Sequence, residues 1–524
     1  MSPGLTATHP PLRHTTCAAF AAVLLAVTAL RVLALVATPL DLHGDEAQYW
    51  LWSRTLDWGY FSKPPLIAWA IALTTGAFGD AEWAVRLAAP LGHACAAVSL
   101  FALGYRMGGP SAGFWAGMAW LLMPGVWLSA AIISTDALLL PLWALALFAA
   151  WRFVETRSAG AAVLLGAAFG VGVLAKYAML YFGVGAAIAI VAIPRVRAAA
   201  ASTCAWMAPA LAIAIAAPNL VWNARNDFAT VSHTAANADW SPQIGAVDEA
   251  ASFIIDQFGL AGPILAPLAA WCAWRRWRDA HGDWNAIDDR TRFLIALAAP
   301  PLVIILVQAF ISRAHGNWAA TAYPAALALV ALHFFGAPPP SRRVWLGAWI
   351  AAGVHAAFGC VFIAGLVYAP FADALGLGNA LKRLRGWEDT AALVRSAAQA
   401  GSPQGPYTAI MVDNRLVFND LSYYLRRAKT PPLRMWVLAK EPGNQAEKAA
   451  PMDASLGARV LIVGATRDYE PWIAADFRTV APLRRLSIPL GGDRQRALSF
   501  RDGYSFAPIK RDAAYMAQRT RRGD

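Results

Sequence analysis

Charge is scarce in this chain. Only 15% of its 524 residues are Asp, Glu, Lys or Arg, against 58% hydrophobic, a balance that excludes an ordinary soluble globular protein. Cysteine is scarce as well. The five present, Cys17, Cys95, Cys204, Cys272 and Cys360, lie within or beside apolar runs, show no CxxC spacing and avoid the polar C-terminal part, which argues against disulfides and a structural zinc site. No soluble-type repeat is evident. The net charge of +12 raises nucleic acid as a partner, yet the basic residues come mostly as short pairs between apolar runs, as on a cytoplasmic membrane face. No nucleic-acid partner is expected.

What the chain does have is apolar length. About eleven segments of bilayer length or slightly less predict an α-helical polytopic membrane protein, with membrane lipids as its surroundings. The first, Cys17–Ala37, reads as a retained anchor rather than a cleaved signal, because further spans follow it. Later ones include Pro110–Leu128, Ala161–Ala175, Met179–Ile193, Phe258–Trp274 and Val344–Val367, while Pro65–Phe78 suits a re-entrant or interfacial segment. Assigning loops alternately to two faces gathers Arg106, Arg152, Arg195, Arg197, Arg275, Arg276, Arg342 and Arg343 on one of them, which is therefore cytoplasmic. The expected organisation is a transmembrane part, 1–369, with a first outer loop at 39–82, and a C-terminal domain, 370–524, on the outer face. An amphipathic stretch at 380–398 and β-type runs at Tyr407–Val412, Arg434–Leu438 and Arg459–Val463 make that tail a small mixed α/β domain.

The outer face collects the chemistry. Its first loop reads DLHGDEAQYWLWSRTLDWGYFSKPPL from Asp41 to Leu66 and places Asp45, Glu46 and Lys63 beside Tyr60 in an aromatic-rich stretch that suits a helix lying in the membrane interface. Asp45 falls at or near the start of that helix, where it is as good an N-cap as a catalytic group. Asp136, at the mouth of an apolar helix in SAAIISTDALLLPLW, has the same two readings. Lys63, Lys176 and Arg313 are suited to hold an anionic group or to mark a membrane boundary. Arg31, inside the first span, is placed to snorkel to headgroups or to reach a lipid phosphate. Trp222, Asn223, His233 and His315 complete the outer inventory, and the two histidines leave a divalent metal open.

Taken in order, DEAQYW, YFSKPPL, TDALLLPLW, AKY, PNLVWNARNDF and GNWAATAYPA resemble the GT-C superfamily of membrane glycosyltransferases, and glycosyltransferase family 39 within it. That family includes protein O-mannosyltransferases, aminoarabinose transferases acting on lipid A and rhizobial transferases of galacturonic acid. The likeness continues into the tail with Gly386–Trp387, DNRLVFNDLSYYLR and GNQ. It implies the GT-C fold and transfer of a sugar, with inversion, from a polyprenyl-phosphate donor to a glycolipid or other glycoconjugate acceptor at the outer face of the cytoplasmic membrane. Asp45 then matches the catalytic aspartate and Asp136 the second acidic position. Glu46 acts with Asp45 or supports it. Lys63, Arg313 and Lys176 become candidates for the donor phosphate, and Tyr60, Trp222, Asn223, His233 and His315 for substrate contact.

One position departs from the family. Aminoarabinose transferases carry glutamate directly before the lysine of the first loop, where this chain has Ser62. That puts in doubt the family's metal contact and that sugar, and favours a uronic acid. A protein O-mannosyltransferase-like enzyme, a lipid-carrier transporter and an inactive scaffold are the competing expectations.

Overall fold

The computed structural model describes residues 11–238, 245–336 and 340–515. They form two units: one holds residues up to Val36 together with Lys63–Ile363, the other Ala37–Ser62 together with Ala364–Asp524.

The first unit is helical. Among the described residues seven helices are individually long and apolar enough to cross a membrane, from Thr15–Ala37 to Arg342–Val367, and nine if two bent pairs each count as one span. Several of the expected eleven segments are bent or shortened rather than single long helices, for local reasons. Pro110–Leu122 stops at Met123, and Pro124 starts a separate short helix, since proline at a first helical position begins rather than continues a helix. Pro194 similarly ends Tyr177–Ala192, with a 111° bend. Near Gly262, whose φ is +93, the chain bends by 104° between Val247–Ala261 and Leu265–Asp279. Ala159–Ala175 has 17 residues, and Leu66–Phe78 has 13. Close helix pairs depend on small residues: a Cβ on Gly104 would come within 2.7 Å of the Ala112 carbonyl oxygen, and one on Gly113 equally near that of Phe101. Backbones approach this closely where side chains are absent.

The second unit is built on a six-stranded sheet, β1 (Ala409–Val412), β2 (Leu433–Met435), β3 (Arg459–Gly464), β4 (Phe477–Val480), β5 (Arg484–Pro489) and β6 (Gln495–Phe506), in the order β2-β1-β3-β6-β4 with β5 also on β6. β1 runs parallel to both β2 and β3, and the other pairings are antiparallel. All four β1 residues are buried, as a parallel strand covered on both faces requires. Alternation divides them: Ile410 and Val412 join Leu461, Val463, Val417 and Leu421 in one core, while Ala409 and Met411 join Val460, Ile462, Trp436 and Phe477 in the other. The first core is closed by the helices Trp387–Ala400 and Arg415–Tyr424.

The segment 37–62, grouped from sequence with the transmembrane part, folds as a piece of this second unit. Its helix, Gly44–Trp52, packs on Arg415–Tyr424. The aromatic residues read as interfacial anchors serve that packing: Trp50 meets Tyr423 edge to face at 5.0 Å, Trp52 stacks on Tyr60 at 4.6 Å, and all four are buried. Trp58 remains exposed.

Candidate active site

Asp45 is not the cap of its helix. His43 takes that place, its Nδ1 accepting the Asp45 N–H at 3.1 Å, while Glu46 Oε2 accepts the His43 N–H at 2.9 Å. The reciprocal pair is a capping box with histidine in the serine position. Two expectations separate here. Glu46, 1% exposed, spends Oε2 on the capping box. Asp45 keeps its carboxylate for other work: the side chain is 41% exposed, and Oδ1 accepts from Arg415 Nη1 at 3.0 Å. The same Nη1 donates to Gln48 Oε1, which also accepts from Asn419 Nδ2.

The tail motifs turn out to be the partners of the first loop. The Trp387 N–H donates to Asp41 Oδ2 at 2.7 Å, next to Gly386 in the left-handed region at φ +73. Along DNRLVFNDLSYY, Arg415 reaches Asp45, Asn419 donates to the Gly44 carbonyl, and the Tyr424 hydroxyl accepts the Leu42 N–H. In GNQ, Gln445 Oε1 accepts the Phe61 N–H at 3.0 Å. A Cβ on Gly44 would lie 2.8 Å from a Leu416 methyl and 3.0 Å from Asp420 Oδ2, so the approach of the two helices requires glycine there.

Asp136 is relieved of capping in the same way. Ser134 Oγ accepts the Ala137 N–H and caps Thr135–Thr156. The Asp136 carboxylate instead accepts from Lys176 Nζ at 2.7 Å and from Asn317 Nδ2 at 2.8 Å. Lys176 reaches it from the extended break between Ala159–Ala175 and the turn that follows. The adjacent Tyr177 hydroxyl donates to Asn219 Oδ1 and accepts from Asn223 Nδ2. Asn317 lies on the connection that carries Arg313 and His315, both exposed; His315 meets Trp318 edge to face.

Other sequence candidates are placed differently. Tyr60 is no open substrate contact: its hydroxyl donates to the Trp52 and Thr55 carbonyls and accepts the Asp57 N–H, and burial pushes it up to about 12. Asn223 is buried and used by Tyr177 and the Asn219 carbonyl. Lys63 and Trp222 are half-buried, as is His233 on Ala229–Ala238. Arg31 does not snorkel. It is 3% exposed, with Nη2 donating to the Leu121 carbonyl and its guanidinium 4.4 Å from the Trp127 ring. No three His, Cys, Asp or Glu side chains converge as metal ligands among the described residues. A cavity of about 290 Å³ between Trp115 and His355 is almost wholly apolar and touches neither Asp45 nor Asp136. Arg415, Gln48, Asn419 and Asn317 were not among the sequence candidates, although all four lie within the motif strings that carry the family likeness; no spacing rule links positions 370 residues apart.

Apolar helices carrying a largely buried acid–lysine pair, joined in sequence to an α/β unit with an exposed carboxylate at Asp45, are the features of a polytopic membrane protein with a polar domain attached. Residues 62–222 match the family model described as dolichyl-phosphate-mannose-protein mannosyltransferase. The chain is 37% identical over 407 residues to the lipid A galacturonosyltransferase RgtD of Rhizobium johnstonii, covering 78% of this chain and 82% of that protein. Two crystal structures of ArnT from Cupriavidus metallidurans, apo and bound to undecaprenyl phosphate, share the fold at TM-scores of 0.62 and 0.63, with 18% identity, over 94% of this chain and 99% of ArnT. The chain belongs to the GT-C superfamily of membrane glycosyltransferases, in the group of family 39. That membership decides for an enzyme over a transporter or scaffold.

Proposed function

We propose that this glycosyltransferase moves a uronic acid from a polyprenyl-phosphate carrier to lipid A at the outer face of the bacterial cytoplasmic membrane. The observation that carries the reading is that Asp45 and Asp136 are both freed from helix capping by a neighbour, and each is held by a cation. The galacturonosyltransferase relative supports the sugar and the acceptor.

In the reaction proposed, the acceptor oxygen attacks C1 of the sugar opposite the lipid phosphate. The C1–O bond to phosphate breaks with its electron pair leaving on the phosphate, and the configuration inverts. Asp45 takes the acceptor hydroxyl proton, or orients the acceptor where it is already an anionic phosphate. The departing phosphate is a stable anion and needs cations rather than an acid; Lys63 and Arg313 are the groups proposed for it. Lys176 is engaged by Asp136, so its part is to hold that carboxylate in place.

General-base assistance is worth about 10²- to 10⁴-fold. Asp45→Asn in proteoliposomes supplied with a polyprenyl-phosphate-linked uronic acid and lipid A is expected to lower kcat by at least about a hundredfold without changing the melting temperature. Undiminished transfer would remove Asp45 from the chemistry. The mannosyltransferase model over 62–222 supports a second reading, mannose transfer to protein hydroxyls. Mass spectrometry of lipid A and envelope proteins from cells with and without the gene separates the two, by which component loses its sugar.

A further inference from the structure

Arg415 has more donors than its contacts use. Its Nη1 alone serves Asp45 Oδ1 and Gln48 Oε1, both at 3.0 Å; Nε and Nη2 have no hydrogen-bond partner among the described residues, and the side chain is 43% exposed. Arg496, in the same unit, is the contrast. Its Nη1 and Nη2 donate to Thr390 Oγ1 and the Arg385 carbonyl, and its Cζ lies over the Trp387 ring, 3.3 Å from the centroid. That is an arginine consumed by the fold. Arg415 is not needed to hold the Gly44–Trp52 helix, because Asn419, Tyr424, Asp41 and the Trp50–Tyr423 contact already do so, and an exposed ion pair adds little stability.

We propose that Arg415 is a substrate-binding residue supplied by the α/β unit, whose open guanidinium edge takes a carboxylate or phosphate group beside the Asp45 carboxylate. This rests on the reading of Asp45 as the base. A guanidinium presents paired N–H groups that match two oxygens of either anion. In an in-line displacement the base stands on the side away from the leaving group. A cation 3.0 Å from Asp45 therefore faces the attacking side, where the available anions are the uronate carboxylate of the sugar and a phosphate of the acceptor. The departing lipid phosphate is on the other side.

The test uses the full-length enzyme in proteoliposomes with Arg415→Gln and Arg415→Lys, reading kcat, both KM values and melting temperature. Arg415→Gln is expected to raise the KM of the anionic partner on the order of tenfold with its melting temperature kept, and Arg415→Lys to recover part of that loss. Two arms identify the anion. If the penalty vanishes with the methyl ester of the uronate donor, the carboxylate is bound; if it vanishes with a dephosphorylated acceptor, the phosphate is. A penalty that persists in both arms, a fall in kcat with both KM values unchanged, or wild-type kinetics would each overturn the assignment. Failure of the wild-type enzyme to transfer any uronic acid would instead overturn the proposed function, so the two outcomes are distinct.

Discussion

Asp136 and Lys176 form a close, largely buried ion pair in the helical unit, 2.7 Å apart with side chains 15% and 23% exposed. Exposed pairs contribute at most about 1 kcal/mol, while removing one partner of a fully buried pair costs about 3–5 kcal/mol. This pair lies between those limits. Asp136→Asn and Lys176→Met, singly and together, are expected to show a coupling of roughly 1–2 kcal/mol in chemical denaturation. Purely additive losses would mean that the contact is incidental. Asp136 could be singled out from sequence because an ionisable group at the mouth of an apolar helix is costly without a purpose. Its two partners could not be paired with it, since Lys176 and Asn317 stand 40 and 181 positions away. Asp45 has the same history: a capping explanation, level with the catalytic one for Asp45 and the stronger of the two for Asp136, fell in each case to one neighbouring side chain, His43 or Ser134.

Helices and strands were legible where their pattern was local. β1 and β3 could be anticipated because their buried runs are short, β-branched and bounded by turns. β6 could not: QRALSFRDGYSF carries two arginines and an aspartate, and it is a strand because β3, β4 and β5 all pair with it. The Gly44–Trp52 helix was recognisable by its aromatic face, but the partner of that face, Arg415–Tyr424, depended on tertiary structure. Between those two helices lies Asp420, fully buried, with no hydrogen bond to either carboxylate oxygen. Burial holds it well above the usual carboxylate range, partly offset by Arg496. Such a group adds stability while both folded and unfolded forms are protonated, and loses it as pH rises from the ordinary carboxylate range through the raised folded value. Asp413 is raised in the same direction by its burial. Asp420→Asn is therefore expected to match the wild type at acid pH and to melt at a higher temperature above it, in thermal scans across the two ranges. A variant less stable at every pH would show that the ionised carboxylate is held by partners after all.

At the scale of the whole chain, sequence order and folding unit disagree. The residues that carry Asp45 come directly after the first span, yet they share a unit with Ala364–Asp524. The motifs Gly386–Trp387, DNRLVFNDLSYY and GNQ all contact the segment 37–62, which supplies a physical reason for their place in the family likeness. A helix of nine residues is too short to persist without packing. A chain ending at Ile363 would retain all the membrane helices up to that point, along with Asp136, Lys176 and Asn317. It would leave Gly44–Trp52 without Arg415, Asn419 and Tyr424. Such a truncation is expected to insert into membranes, to be cut by added protease between residues 37 and 62 where the full chain resists, and to show no transfer. Co-expression of the missing part, 364–524, is expected to restore protection of that segment. If the truncated chain instead resisted cleavage there and kept its activity, the tail would be an appendage, and the contacts to Asp41, Asp45 and Phe61 would have no bearing on catalysis.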